Sequence, residues 1–270
     1  MVMGVLNVTP DSFFDGGRYR SSSDAVAQGR AMFSDGADMV DVGGESSRPG
    51  AAPVDEDEEL RRVIPVIEAL APIGPVSVDT VKPGVARAAV AAGALLINDV
   101  SGTLWPVAAE CGVGWVAMHR QGTPADMQAD PRYDDVVTEV HRHVLDLAER
   151  AGAAGVGEIW LDPGIGFGKT VAHNLALLAK VGELVGEAEA VGARVLVGTS
   201  NKWFLGKIGS TGGEPLPPEE RAEGSLASST WAMAEGVHMV RVHDVLASVR
   251  AARLVGPVAR REVELEGVSR

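Results

Sequence analysis

Chargeable or amide side chains close one short apolar run after another along this chain: Asn7, Asp41, Asp79, Asn98, His119, Asp162, Ser200 with Lys202, and Arg241 with His243. Carboxylates and amides offer paired acceptors to the N–H groups of a planar heterocycle, or hard oxygens to a cation. Lys202, Arg241 and His243 offer donors and positive charge to an anion, and Arg241 and His243, two residues apart, share one side of a strand. A second loop, Gly43-Gly44-Glu45-Ser46-Ser47-Arg48-Pro49-Gly50, lets backbone approach a ligand and adds the Ser47 hydroxyl and the Arg48 fork for phosphate oxygens. The first, Asn7-Val8-Thr9-Pro10-Asp11-Ser12-Phe13, begins with an amide oxygen suited to Mg²⁺, an ion that keeps waters and shares ligands with substrate phosphates. On spacing alone Asn7 serves equally well as a turn cap, and Asp79, Asn98 and Asp162 serve equally well in salt bridges around a barrel mouth. Asp162-Pro163-Gly164-Ile165-Gly166-Phe167-Gly168-Lys169 brings an aromatic able to cover a bound ring. It has the glycine content of a phosphate loop but is not read as a nucleotide site. His119 reads as a structural rim residue; His141, His143, His173 and His238 lack the spacing of metal ligands.

Those residues need elements to hold them. Eight continuous apolar runs are expected as parallel strands buried on both faces: 2–7, 39–42, 76–79, 95–98, 115–119, 159–162, 195–198 and 239–242. Helical patterns lie between them, at 24–35, 57–70, 83–92, 135–151, 172–185 and 221–234. Pro83 sits at a first helical turn, and Gly36, Gly93 and Gly236 sit where C-terminal caps belong. Eight strand-then-helix units in ~250 residues predict a single-domain (β/α)₈ TIM barrel, an α/β fold whose active site gathers at the carboxyl ends of the strands. The barrel is expected over residues 1–256, with a charged tail at 257–270. The long loops 9–23, 43–54 and 209–218 are candidate lids.

The bulk numbers narrow the function further. A chain of 270 residues that is 46% hydrophobic and 23% charged suits one soluble domain with a large core. A net charge of −13 argues against nucleic acid, and it obliges any anionic substrate to find a local cationic pocket. The alanine-rich stretch 85–97 is too short and too weakly apolar to span a membrane. One cysteine, Cys111, permits no internal disulfide. With Met1–Leu6 running straight into a strand, the cytoplasm is the expected compartment.

Six segments taken together resemble dihydropteroate synthase: Asn7 to Phe13, Asp41 to Gly50, Ser77-Val78-Asp79, Ile97-Asn98-Asp99, Asp162 to Lys169, and Arg241-Val242-His243-Asp244. They are collinear from residue 4 to about 255. The resemblance implies a transferase of the folate pathway, of the class sulfonamides target. It would join 6-hydroxymethyl-7,8-dihydropterin diphosphate to 4-aminobenzoate with Mg²⁺, as a homodimer. Carried over residue by residue, Asn7 would bind the metal. Ser47 (where the family usually has Thr), Arg48, Arg241 and His243 would hold the diphosphate. Asp79, Asn98, Asp162 and Lys202 would grip the pterin, with Arg241 and Phe167 against its faces. Phe13, Pro49 and Ser200 would border the aminobenzoate. Lys202, Asp79 and Arg241 would carry the catalysis. One position departs from the pattern: Asn201 stands where Arg usually precedes the lysine, as it does in some pterin-binding relatives without synthase activity. Such a paralogue is therefore one alternative, and the pterin-binding barrel of corrinoid methyltransferases is another. The second leaves the diphosphate-holding residues without a purpose.

Overall fold

Eight parallel strands close on themselves in sequence order, β1 pairing with both β2 and β8. The computed structural model describes residues 1–9, 22–45, 53–123 and 126–259, the last three by backbone only. The strands are β1 (Val2–Asn7), β2 (Met39–Gly43), β3 (Val76–Asp79), β4 (Leu96–Asp99), β5 (Gly114–Met118), β6 (Ile159–Asp162), β7 (Arg194–Val197) and β8 (Met239–Val242). Between and after them run α1 (Ser22–Ser34), α2 (Glu56–Leu70), α3 (Pro83–Ala91), α4 (Trp105–Cys111), α5 (Val136–Ala153), α6 (Val171–Ala179), α7 (Val181–Ala190), α8 (Trp203–Gly209), α9 (Ala222–Ala234) and α10 (Val245–Ala259). The expected (β/α)₈ barrel is the observed one.

Strand periodicity explains why polar residues end up at the mouth. Met3, Met39, Leu96, Val116, Trp160, Leu196 and Met239, one from each of seven strands, form a separate buried cluster that plugs the barrel interior. Neighbours of opposite parity, such as Val40, Val42, Ile97, Trp115, Leu161 and Val240, belong instead to the larger cluster shared with the helices. Two residues beyond a plug residue the side chain again points inward, one layer nearer the carboxyl end. On β2, β4, β6 and β8 that residue is Asp41, Asn98, Asp162 or Arg241. Register then aligns Asn7 with Gly43, Gly43 with Asp79, and Asp79 with Asn98, on one row of the sheet.

Four local differences from the sequence reading have physical reasons. Strands β4, β5 and β7 are displaced by one residue from the expected spans, and β2 runs one residue further, to Gly43. The expected helix over 172–185 is two, α6 and α7, divided at Lys180, which leaves helical geometry at φ −115°, ψ 10°. Two seven-residue helices, α4 and α8, are too short to show a period. The first is set up by Asp99, whose carboxylate accepts from the backbone of Ser101, Thr103 and Leu104 and from Trp115 Nε1. Helix α10 runs on to Ala259, past the point where the tail was expected to begin; residues 260–270 lie outside the described residues. Gly36, Gly93 and Gly236 have φ of 97°, 111° and 90°, the left-handed conformation of the C-terminal caps expected there. Among the described residues no helix is long and apolar enough to cross a membrane.

Candidate active site

At the centre of the mouth one guanidinium joins two carboxylates brought from far along the chain. Arg241 donates from Nε to Asp41 Oδ2 at 2.6 Å and from an Nη to Asp79 Oδ2 at 2.8 Å. Asn98 Nδ2 also donates to Asp41 Oδ2, at 2.8 Å. Asp41 is fully buried, and its other oxygen, Oδ1, has no hydrogen-bond partner among the described residues. Burial pushes the Asp79 carboxyl up to about 7, with the Arg241 charge opposing the rise and Asp41 adding to it. Burial alone would lower the Arg241 pKa, but Asp41 and Asp79 hold it above the ordinary value. Arg241 is thus fixed as a cation, while Asp79 sits near the midpoint of its titration at neutral pH.

A second carboxylate and cation, Asp162 from β6 and Lys202 from the loop after β7, act on each other across the mouth without a direct salt bridge. Burial raises the Asp162 pKa from its ordinary value, against the pull of Lys202. Burial brings Lys202 down to about 8, against the pull of Asp162. Lys202 Nζ donates to the Ile165 carbonyl and lies 4.6 Å from the centre of the Phe167 ring. That cation–π contact leaves Phe167 at the edge of the mouth beside the lysine.

On the third side His243 and Ser200 meet. The Ser200 hydroxyl accepts from the His243 backbone N–H at 3.2 Å and exchanges a hydrogen bond with its Nδ1 at 2.9 Å. Beside them a cavity of about 600 Å³ opens between α1, α9 and the start of α10. Ser200, Asn201 and His243 line it, whereas Asp79, Asn98, Asp162, Lys202 and Arg241 do not. Asn201 adopts φ 58°, the single left-handed non-glycine residue in the described chain. Its N–H donates to Ser225 Oγ at 2.9 Å, its Oδ1 lies 3.2 Å from the same hydroxyl, and its carbonyl accepts from Arg221 at 2.8 Å. The side chain is engaged with α9 instead of the central ion pairs, and asparagine is among the few residues that visit this backbone region readily.

Asn7 ends β1 at the mouth: its Oδ1 lies 3.7 Å, and Asp79 Cβ 3.4 Å, from where a Cβ on Gly43 would stand. A Cβ at Gly43 would thus meet both at van der Waals distance, which places Asn7 and Asp79 on either side of this glycine. Among the described residues no three His, Cys, Asp or Glu side chains are grouped to hold a metal ion by themselves. A lone amide oxygen in that position suits an ion carried mostly by substrate phosphates and water.

Of the expected site residues, Asn7, Asp79, Asn98, Asp162, Phe167, Ser200, Lys202, Arg241 and His243 all stand at this end of the barrel. Phe13, Ser47, Arg48 and Pro49 lie outside the described residues, as do most of the two longest candidate lids. Two residues given no role in advance prove central. Asp41 is the buried anchor of Arg241, and its polarity in an apolar strand was the available signal. Lys169 is buried behind Phe167 at 1% exposure. The glycine-rich loop does end in Gly168-Lys169-Thr170, as a phosphate loop does, but Lys169 turns inward and Thr170 caps α6. It is therefore no cradle for a nucleotide. His119 is buried, as a structural rim residue should be, and packs edge-on against His143 at 4.9 Å.

Carboxylates, an amide and a lysine line one part of this mouth, and Arg241 with His243 another. The site can hold a flat, nitrogen-rich ring and an anion at once. Comparison with known proteins agrees. The profile of a family described as pterin binding enzyme matches residues 3–243. The dihydropteroate synthase of Escherichia coli (strain K12) is 46% identical over 262 residues, covering 94% of this chain and 90% of that protein. That of Mycobacterium leprae is 47% identical over 265 residues, covering 94% and 92%. Among solved structures, Yersinia pestis dihydropteroate synthase in complex with a sulfonamide drug superposes with a TM-score of 0.87 at 43% identity, over 97% of this chain and 94% of that one. The Xanthomonas albilineans enzyme with 4-aminobenzoic acid gives 0.86 at 44% identity, over 97% and 93%.

Proposed function

The chain belongs to the dihydropteroate synthase family of pterin-binding enzymes, and from that premise we propose that it joins 6-hydroxymethyl-7,8-dihydropterin diphosphate to 4-aminobenzoate, releasing 7,8-dihydropteroate and pyrophosphate. The observation that carries the reading is two carboxylates whose pKa burial raises, Asp79 hydrogen-bonded to Arg241 and Asp162 within the field of Lys202, at one barrel mouth. Such carboxylates are costly in an apolar setting until a ligand supplies donors, and a pterin edge carries several N–H groups side by side.

Each group has a task in that reaction. Asp79, Asn98 and Asp162 accept from or donate to the pterin edge, and Lys202 holds it from the Phe167 side. Arg241 and His243 bind the diphosphate, joined by Arg48 and Ser47 from the second loop. As the bond from the pterin methylene carbon to the diphosphate oxygen breaks, positive charge builds on the ring system, and the fixed carboxylates stabilise it. The aminobenzoate nitrogen then forms the new C–N bond and loses a proton. Because the amine attacks in its neutral form, positioning by the surroundings of Ser200, Phe13 and Pro49 matters more than deprotonation. Asn7 would hold Mg²⁺, which when bound neutralises charge on the departing diphosphate.

Two finer parts of the reading rest on surface chemistry. Leu175 on α6, Trp203 and Ile208 on α8, and Trp231 on α9 are each about half exposed on helices that contact one another in series, which supports a homodimer through this face. The lone Cys111 supports a reducing, cytoplasmic setting. The paralogue reading loses its main support, because Asn201 is turned to Ser225 and vacates no cation site beside the pterin. A methyltransferase barrel has no substrate diphosphate for Arg48, Arg241 and His243 to hold.

The test is pyrophosphate release from the pterin diphosphate with and without 4-aminobenzoate, in magnesium and in excess chelator. Release that requires the aminobenzoate and the metal is expected. No release from a chain that still binds pterin would make the inactive paralogue correct, and full turnover in chelator would remove the metal.

A further inference from the structure

The glycine-rich loop after β6 has most of its backbone carbonyls and several of its N–H groups engaged. The Gly164 N–H donates to Asp162 Oδ1 at 2.7 Å, the Gly166 N–H to Asn174 Oδ1 at 2.7 Å, and the Phe167 N–H to the Gly164 carbonyl at 3.1 Å. The Gly166 carbonyl accepts from Gln128 at 2.6 Å and the Gly168 carbonyl from the Tyr133 hydroxyl at 2.8 Å. The loop also lies against the backbone after β5: a Cβ on Gly164 would stand 1.8 Å from the His119 carbonyl oxygen. At its centre is the Lys169 ammonium, buried, 2.9 Å from the Gly164 carbonyl oxygen, 3.1 Å from that of Phe167, 3.5 Å from that of His119 and 3.0 Å from His119 Nδ1. Among the described residues no carboxylate is hydrogen-bonded to it. Burial brings its pKa down to about 7, with Asp162 favouring the ammonium and Lys202 opposing it.

An ammonium caged by backbone carbonyls is an unusual use of lysine, since three polar oxygens must turn inward around one buried charge. The carbonyls it gathers bracket the two groups that support Lys202, namely the Ile165 carbonyl and the Phe167 ring. We infer that Lys169 is a positioning residue for the pterin subsite: its ammonium folds the loop after β6 so that Ile165 and Phe167 hold Lys202 in place opposite Asp162. The neutral Nδ1 of His119 is the remaining acceptor, consistent with a ring whose pKa burial and the Lys169 charge bring down to about 3. The diphosphate side of the mouth, Arg241 and His243, hangs from β8 and shares no hydrogen bond with this cage among the described residues.

The inference rests on the pterin reading above, and the experiment separates the two. Wild type, Lys169→Met and Tyr133→Phe are titrated with 6-hydroxymethylpterin and, separately, with pyrophosphate; KM is measured for both substrates. Lys169→Met keeps the length of the side chain and removes the charge, leaving the carbonyls unpaired. We expect pterin affinity to fall at least tenfold, with pyrophosphate affinity and the aminobenzoate KM within twofold of wild type. Addition of ethylammonium to Lys169→Ala should recover part of the pterin affinity, which a merely structural defect would not show. Tyr133→Phe, which frees only the Gly168 carbonyl at the margin of the loop, should weaken pterin by a few-fold and nothing else; it decides the matter where Lys169→Met does not fold. Unchanged pterin binding in the folded variants, or equal losses of pterin and pyrophosphate, overturns the role of Lys169. Failure of the wild type to bind pterin overturns the functional reading instead.

Discussion

Removing the guanidinium of Arg241 would leave the buried Asp41 with only Asn98 and the partly buried Asp79 with no hydrogen-bonded cation among the described residues. Arg241→Met should therefore weaken pyrophosphate binding in calorimetry by about 2–5 kcal/mol, the range for truncating one partner of a buried hydrogen-bonded charge pair. An unchanged affinity would take Arg241 out of the diphosphate clamp. The same variant carries a proton-linked signature. Arg241 opposes the rise that burial imposes on Asp79, so its loss should push the Asp79 pKa above about 7 and move the acid limb of kcat/KM to higher pH. The sign for stability follows from the raised carboxyl. Its contribution is fully present below the unfolded value of 3.8 and is lost as pH rises through about 7. Asp79→Asn should consequently flatten the decline in urea-unfolding free energy across that window, and a decline as steep as wild type would show that another group titrates there.

Asn201 belongs to the scale of the element. It turns the chain from β7 into α8 in a left-handed conformation and is tied to α9 through Ser225 and Arg221. Arginine can be forced into that backbone, but at a cost of about 1 kcal/mol, and it forfeits the Ser225 contact. Asn201→Arg is therefore expected to lower unfolding stability by about 1–2 kcal/mol without raising turnover. Wild type should rescue a strain lacking dihydropteroate synthase unaided. Growth with the arginine variant alone would mean that the family's usual cation is needed after all. The turn after β6 shows the complementary case, where Gly164 at φ 65° is packed so closely on the His119 carbonyl that no side chain fits.

Over the whole molecule a net charge of −13 surrounds a mouth that must attract a diphosphate. Distant acidic helix faces act over tens of ångströms at low salt, whereas Arg241 and Lys202 act at contact distance inside the mouth. Raising ionic strength from about 0.01 M to about 0.1 M shortens the screening length from ~30 Å to ~10 Å, which removes the distant repulsion first. The kcat/KM for the pterin diphosphate should rise over that interval, and a fall would show that the mouth's own positive field reaches well beyond it. The exposed apolar residues of α6, α8 and α9 make a second prediction at this scale. Sedimentation should give twice the mass of one chain, and Trp231→Glu, which places a charge at a half-exposed tryptophan of that face, should shift the equilibrium to monomer. A monomeric wild type would remove the homodimer.

Much of this architecture could be read from the chain by period and punctuation alone. Buried parallel strands leave continuous apolar runs, so β1, β3, β6 and β8 were bounded to the residue, and the polar residues that end those runs reach the mouth because strand parity repeats every second position. Short helices carry too few turns to show a period, which is why α4 and α8 escaped. Partnership was another matter. Arg241 reaches Asp41 across 200 residues and Asp79 across 162, and Lys169 reaches His119 across 50. No local pattern encodes such pairs, because hydrogen bonds of that span exist only once the barrel has closed and its stagger has been set. Asp41 and Lys169 were therefore visible as residues and invisible as roles. The sequence by itself determined which groups would stand at the strand ends; closure of the barrel decided which of them share a charge, and burial in a low-dielectric mouth decided how those charges titrate.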